Sequence, residues 1–302
     1  MKVGVVVPQG WHSEFHGVDD LAAWARTVAV AQHAERLGFE SIWLYDHFHT
    51  VPDPQDEVTF ESFTSLAALA TLTERVRVGH IVICTAFRNP ALTAKMISTL
   101  DTISGGRADL GIGAGWKREE WLAYGYPFPP IRERLAVLSD HLEVITRMLE
   151  AGDTNRASYS GTYASVAGAI NRPKPIQRPR VPVMVGGNGP NVTWRLAARH
   201  ADELNLDGSL PPEVREALPV IASRCEEIGR DPASLRVSVH TWPQRPGVSA
   251  RGAERVDLLG AYRELGISRL QIYLDGYARD DSTLESLAED ARASGASLEP
   301  AG

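Results

Sequence analysis

Residues 181–200 read VPVMVGGNGPNVTWRLAARH. A short apolar run rich in valine ends in a cluster of glycines, and a helix-forming stretch follows. That is the pattern of one strand, one tight turn and one helix. Moving outward, the same alternation recurs along the chain. Further strand runs are KVGVVVP (2–8), SIWLY (41–45), VRVGHIVI (76–83) and RADLGIG (107–113), then DELNL (202–206), LRVSVH (235–240) and RLQIYL (269–274). These runs show little strict apolar–polar alternation, so both faces of each strand are expected to be covered, as in a parallel sheet under helices. Helical stripes separate them: Leu21, Trp24, Val28 and Ala31; Leu92, Met96, Leu100 and Ile103; Leu135, Leu138, Leu142, Ile145 and Leu149; Val256, Leu259 and Leu265. Asn89-Pro90 reads as a helix start, with a capping side chain followed by proline at the first helical position. Eight strand–helix units predict an α/β fold of the (β/α)8 TIM barrel type, with a doubly wound sheet as the rival. The stretch of about 151–180, rich in Gly, Ser and Pro, reads as an insertion between strands four and five, with a small hairpin around Gly161. The whole of 1–302 is read as one domain whose last residues, GASLEPAG, fray.

Composition narrows the function. The chain has 302 residues, 43% hydrophobic and 23% charged, enough apolar surface for a barrel core. A net charge of −7 gives no general attraction to nucleic acid or to an anionic membrane, so an anionic ligand must be held by local features. No run approaches the ~18 apolar residues of a membrane span. The apolar run before Pro8 is too short for a signal peptide. Cys84 and Cys225 lie far apart, which argues against a disulfide framework. A soluble cytoplasmic protein acting on a small molecule is expected.

In a barrel the chemistry lies where strands end and the following loops begin. Those positions hold Gln9, then Asp46-His47-Phe48-His49, then Cys84-Thr85-Ala86, Gly113-Ala114-Gly115-Trp116, Gly186-Gly187-Asn188-Gly189, Asn205-Leu206-Asp207, His240-Thr241-Trp242 and Asp275. His47 and His49 share a metal-site spacing, but the other strand ends offer no coherent ligand set, so no metal is expected. The Gly186–Gly189 turn before a helix suits a phosphate cup made of backbone amides, or simply a tight loop. GIGAGW (111–116) lacks the third glycine of the dinucleotide fingerprint. Gly113 and Gly115 can instead leave room for a flat ring with Trp116 as a wall, or merely fit a crowded rim.

Taken together, several blocks resemble the luciferase-like family of flavin and deazaflavin oxidoreductases. They are GVVVPQGW (4–11), LGFESIWLYDHF (37–48), RNP (88–90), SGGRADLGIGAGWKREEWLAYGYPFPP (104–130) and NRPKPIQ with VPVMVGGNG up to 189. The likeness runs over roughly residues 1–210 and looks closest to the branch using the deazaflavin coenzyme F420. The resemblance implies a cofactor across the carboxyl face and a homodimer. It places Asp46 and His47 beside ring and substrate, and Gly186, Gly187, Asn188 and Gly189 on the cofactor phosphate. It also implies a bulge around Cys84, Thr85 and Ala86 that backs the ring and often carries a non-proline cis peptide. His47 is then the proton shuttle, oriented by Asp46 unless Asp46 bonds the ring, and Gln9, Trp116 and Trp242 are pocket walls. Where the sugar-phosphate dehydrogenase of the family has a proton-donating Glu, this chain has Trp116, with Glu119 and Glu120 a few residues on. The implied activity is hydride transfer between F420 and a small organic substrate. The alternatives are an FMN-dependent monooxygenase using O2 with a separate reductase, and a non-catalytic phosphate-ligand-binding barrel.

Overall fold

Valine and isoleucine runs pack well on a pleated, doubly covered surface, and all eight predicted strands are present. The computed structural model describes residues 1–150 and 156–299. The opening of the expected insertion (151–155) and the final three residues lie outside the described residues. In chain order the elements are β1 (Lys2–Val6), α1 (Asp20–Leu37), β2 (Ser41–Leu44), α2 (Ser62–Thr71), β3 (Arg77–His80), β4 (Ile83–Cys84), α3 (Pro90–Ile103), β5 (Ala108–Gly113), α4 (Arg118–Ala123) and α5 (Ile131–Glu150). There follow β6 (Arg156–Ser160), β7 (Ser165–Ile170), β8 (Val183–Gly186), α6 (Thr193–His200), β9 (Glu203–Asp207), α7 (Pro211–Glu226), β10 (Arg236–Thr241), α8 (Ala253–Glu264), β11 (Arg269–Ile272) and α9 (Ser282–Ala293). The third barrel strand is split into β3 and β4. Parallel pairing runs β3-β2-β1-β11-β10-β9-β8-β5 and closes through β5 onto β3 and β4, giving a closed parallel barrel. The expected hairpin forms from β6 and β7, antiparallel, with Gly161 N donating to Ala164 O at 3.0 Å.

Local signals place the helices. Asp19 caps α1 by accepting from Leu21 N and Ala22 N, and Gly38 ends it in the left-handed region at φ 95°. Asn89 caps α3 with Pro90 in its first turn, as expected. The stripe of α5 is buried at Leu138, Leu142, Ile145 and Leu149. Two other stripes are rotated from the expected ones. Leu21 is 80% exposed, and α1 instead buries Ala23, Thr27, Val30, Ala31 and Ala34. Leu92 and Ile103 of α3 are exposed, while Ala94, Ile97 and Leu100 are buried. Small side chains stand among the larger ones on both buried faces, where they permit close approach.

The barrel interior has a large–small logic. The Trp43 indole fills it, and Gly79 makes way: a Cβ there would lie 2.4 Å from the ring. At the amino ends of the strands, Arg77, Asp109, Glu203 and Arg269 form a buried ionic plug with Glu40. Polar contacts therefore close that end, leaving the carboxyl mouth as the open face. The carboxyl-terminal residues do not fray as far as they are described: Ser297 N donates to Met1 O at 2.9 Å, and Glu299 N to Gly38 O at 3.0 Å. Among the described residues no helix is long and apolar enough to cross a membrane.

Candidate active site

A cavity of about 460 Å³ occupies the carboxyl mouth. His47, just past β2, stands at its wall. Its Nδ1 lies 2.8 Å from Glu120 Oε2, and Phe48 N donates to Glu120 Oε1 at 2.7 Å. The Trp11 ring stacks on the imidazole at 4.0 Å with an interplanar angle of 1°. Nε2 has no protein partner among the described residues. A ring held at one nitrogen and one face keeps its tautomer and direction while the other nitrogen stays available. Of the two glutamates after the fourth strand, α4 turns Glu119 to solvent and buries Glu120, which is 1% exposed. Glu120 thus reaches the imidazole from a position that sequence spacing alone does not select. His49 sits on the rim, with its Nδ1 against Thr50 O at 3.1 Å.

Asp46 does not orient His47. Its Oδ1 accepts from Ser62 Oγ at 3.0 Å and Arg88 Nη2 at 2.8 Å, and its Oδ2 from Cys84 N at 2.9 Å and Arg88 Nη1 at 2.7 Å. Two donors on each oxygen fill the acceptor positions of a carboxylate, which leaves none for a cofactor ring. Burial by itself would raise the Asp46 pKa, but the Arg88 guanidinium outweighs it and holds the carboxyl below its usual range. Asp46 borders the cavity and ties the end of β2 to the start of the loop after β4.

The third strand also departs from expectation. The non-proline cis bond is Ile81–Val82, before the position implied for it. Ile81, Val82, Ile83 and Cys84 line the cavity, whereas Thr85 and Ala86 do not. After Cys84 the chain enters a single 3-10 turn that carries Thr85 away from the mouth. Its hydroxyl pairs with His141 Nδ1 at 2.9 Å. Burial pushes the Cys84 thiol up to about 12, so it stays protonated and uncharged at neutral pH.

Gly113, Gly115, Gly186, Gly187 and Gly189 all line the cavity. A Cβ on Gly113 would approach Val82 to 2.9 Å, and one on Gly186 to 3.0 Å. Gly187 has φ +135°, outside the range that side chains favour. Thr193 stands beside Gly189, and the amides of Asn188 and Gly189 have no protein acceptor among the described residues. The Asn188 side chain is spent elsewhere: it donates to Asp207 O at 2.7 Å and accepts from Asp207 N at 2.9 Å, clipping the β8 and β9 loops together.

Two of the three expected walls are present. Trp116, 61% exposed, and Trp242 both line the cavity. Gln9 does not: its amide is consumed by the backbone of Tyr45, donating to Tyr45 O and accepting from Tyr45 N at 2.9 Å each, and by Phe60 O. Trp11, two residues on, takes the place assigned to Gln9. Asp207 and His240, strand-end residues given no role from sequence, complete the site with Tyr45, just past β2, and Thr193, the first residue of α6 and without a sequence signal. The Tyr45 hydroxyl is 2.8 Å from His240 Nε2, and Trp242 Nε1 donates to Asp207 Oδ1 at 2.8 Å. Among the described residues no three His, Cys, Asp or Glu side chains converge as metal ligands.

Comparison with known proteins places this geometry. The chain is 28% identical over 267 residues to the 5,10-methylenetetrahydromethanopterin reductase of Methanopyrus kandleri, covering 85% of this chain and 72% of that one. It is 33% identical over 200 residues to the F420-dependent glucose-6-phosphate dehydrogenase of Microbacterium testaceum, covering 65% and 57%. The fold matches that of an F420-dependent secondary alcohol dehydrogenase solved with an F420-acetone adduct, at TM-score 0.81 and 19% identity over 97% of this chain and 98% of that one. The family model for the luciferase-like monooxygenases matches residues 1–295, and the chain is an enzyme belonging to that family.

Proposed function

We propose that the enzyme transfers a hydride between coenzyme F420 and a small organic substrate, with His47 as the proton-transfer group. The observation that carries the choice of cofactor is that, among the described residues, no Lys or Arg side chain lines the cavity at the glycine cup. Among the described residues, Lys117 is the one Lys or Arg side chain lining the cavity, and its Nζ donates to Pro52 O at 3.1 Å. Arg195 and Arg224 lie outside that lining, turn to the backbone oxygens of Asn191 and Pro190, and share the one carboxylate of Glu227. At the cup's border, burial would raise the Asp207 carboxyl, but His240 and Trp242 Nε1 hold it below its usual range, so it is ionised. A phosphate monoester such as that of FMN carries about −1.5 to −2 charges at neutral pH. The phosphodiester of F420 carries a single charge. A cup of backbone amides and one hydroxyl beside a carboxylate favours the singly charged group.

The rest of the site fits a flat cofactor. The glycines of β5 and β8 leave a floor without side chains over Val82, which a Cβ at either position would crowd. The ring would rest there, with the Asn188 and Gly189 amides and the Thr193 hydroxyl holding its phosphate. When bound, the coenzyme supplies or accepts the hydride. His47 holds or releases a proton at Nε2, Glu120 and Trp11 keep the imidazole directed at the cavity, and the aromatic walls exclude water. Replacing Gly187 by valine tests the cup. The variant forces a β-branched residue to φ +135° and brings side-chain atoms towards Thr193, whose Cγ2 already lies 3.3 Å from a Cβ at this position. Calorimetry is expected to show F420 affinity reduced at least about tenfold, equivalent to ~1.4 kcal/mol, with the circular dichroism spectrum unchanged. Unaltered affinity in a folded variant contradicts the cup assignment.

A further inference from the structure

We propose that the substrate is a flat, uncharged carbonyl compound, aromatic or conjugated, seated between Trp11, Trp116 and Trp242 with its oxygen on His47 Nε2. The proposal rests on the cofactor reading above for the identity of the reaction, but its binding argument stands on the walls alone.

Those walls are preset. Trp11 is 3% exposed and lies parallel to the His47 ring. Trp242 is fixed from two sides: its Nε1 donates to Asp207, and its ring stacks on Tyr45 at 5.7 Å and 6°. Gly208 permits this placement, since a Cβ there would stand 3.2 Å from the indole. Trp116 meets His47 edge-on at 5.9 Å and leaves most of its surface open at the mouth, with only the Lys117 ammonium over it at 5.7 Å. A large exposed indole beside a buried proton donor is apolar area that a planar ligand can cover.

Charge and hydrogen bonding point the same way. Asp46, Glu120 and Asp207 put three carboxylates on the cavity, the first paired with Arg88, while Lys117, its one ammonium among the described residues, donates to Pro52 O. Burial, with His240 and His47 nearby, pulls His12 down to about 4, so His12 adds no positive charge behind Trp11 at neutral pH. An anionic substrate therefore meets a lining whose carboxylates outnumber its one ammonium. A sugar would bring several hydroxyls against indole faces that cannot pair with them, and each unpaired buried hydroxyl is costly. One carbonyl oxygen, by contrast, needs a single donor, which His47 Nε2 can supply when the imidazole carries its second proton, Nδ1 being held by Glu120.

The test uses acetophenone and glucose 6-phosphate as probes, titrated by calorimetry and saturation-transfer NMR into the protein with and without oxidised F420. Acetophenone is expected to bind at least tenfold more tightly than glucose 6-phosphate. Trp116→Ala is expected to weaken acetophenone at least fivefold, and because Trp116 is exposed this change does not threaten folding; a thermal melt verifies that. Trp242→Phe, a milder change, is expected to weaken it by a smaller factor. Tighter binding of glucose 6-phosphate, or acetophenone affinity within twofold in a folded Trp116→Ala variant, overturns the proposal. If F420 fails to bind while acetophenone binds and responds to Trp116→Ala, the subsite is upheld and the cofactor reading alone fails.

Discussion

His47→Ala is expected to slow single-turnover hydride transfer by about 10²–10⁴-fold, the usual worth of one general acid–base side chain, with F420 affinity within about twofold of the parent. The geometry makes the loss specific. Nε2 is the free nitrogen of a ring clamped at Nδ1 by Glu120, 2.8 Å away, and across its face by Trp11 at 4.0 Å. Glu120→Gln keeps an acceptor but removes the charge behind the imidazole, so a smaller loss, about tenfold, is expected, since charge-assisted bonds are roughly twice as strong as neutral ones. His49→Ala serves as the internal control. Its ring is turned to Thr50 O on the rim, and its removal is expected to change the rate by less than threefold. Stopped-flow absorbance of the deazaflavin reads all three. Equal losses at residues 47 and 49 contradict the assignment.

The second large effect lies at the other end of the barrel. Arg269 is buried, with Nη2 3.0 Å from Glu40 Oε1, Nη1 3.5 Å from Asp109 Oδ2 and 3.6 Å from Glu203 Oε2, and its guanidinium over Trp43 at 5.3 Å. Burial alone would pull its pKa down, yet Glu203, Glu40 and Asp109 hold it above the ordinary arginine value. Burial likewise would raise Asp109, which Arg77 and Arg269 hold below the usual carboxylate range. Removing one partner from such a cluster leaves buried charge without compensation, at a cost of about 3–5 kcal/mol. Arg269→Met preserves length and is expected to lose that much in urea unfolding. Asp109 retains Arg77 at 2.7 Å and Glu203 retains Arg236 at 3.4 Å, which argues for the lower half of the range. A loss under 1 kcal/mol would mean that the plug is not a structural element of the barrel.

The strand order was legible because eight buried strands leave continuous apolar runs, and the helices between them announce themselves through caps such as Asn89-Pro90. What resisted reading was competition for side chains. Gln9, Asp46 and Asn188 carry the right functional groups at strand ends, but each is saturated by partners far away in sequence: Phe60, Arg88 and Asp207. Sequence shows a donor or acceptor without showing whether it is already used. Glu120 was hidden for the converse reason, since only the turn of a short helix after β5 aims it at His47 rather than at solvent. The stripes of α1 and α3 slipped because large residues mark a periodic face by eye, whereas the buried faces there also hold small side chains such as Ala23, Thr27, Ala34, Thr93 and Ala94. Glycines were read more reliably: close approach is a property of the residue itself, and those at 113, 115, 186, 187 and 189 all face the cavity.

The choice between F420 and FMN is tested most directly by a parallel equilibrium titration of the purified enzyme with both, followed by calorimetry at fixed ionic strength. A glycine cup lined by no Lys or Arg among the described residues and bordered by ionised Asp207 predicts F420 binding at micromolar or better affinity and FMN at least tenfold more weakly. FMN binding as tightly as F420, or more tightly, contradicts the account and assigns the barrel to the oxygen-using flavin enzymes of the family.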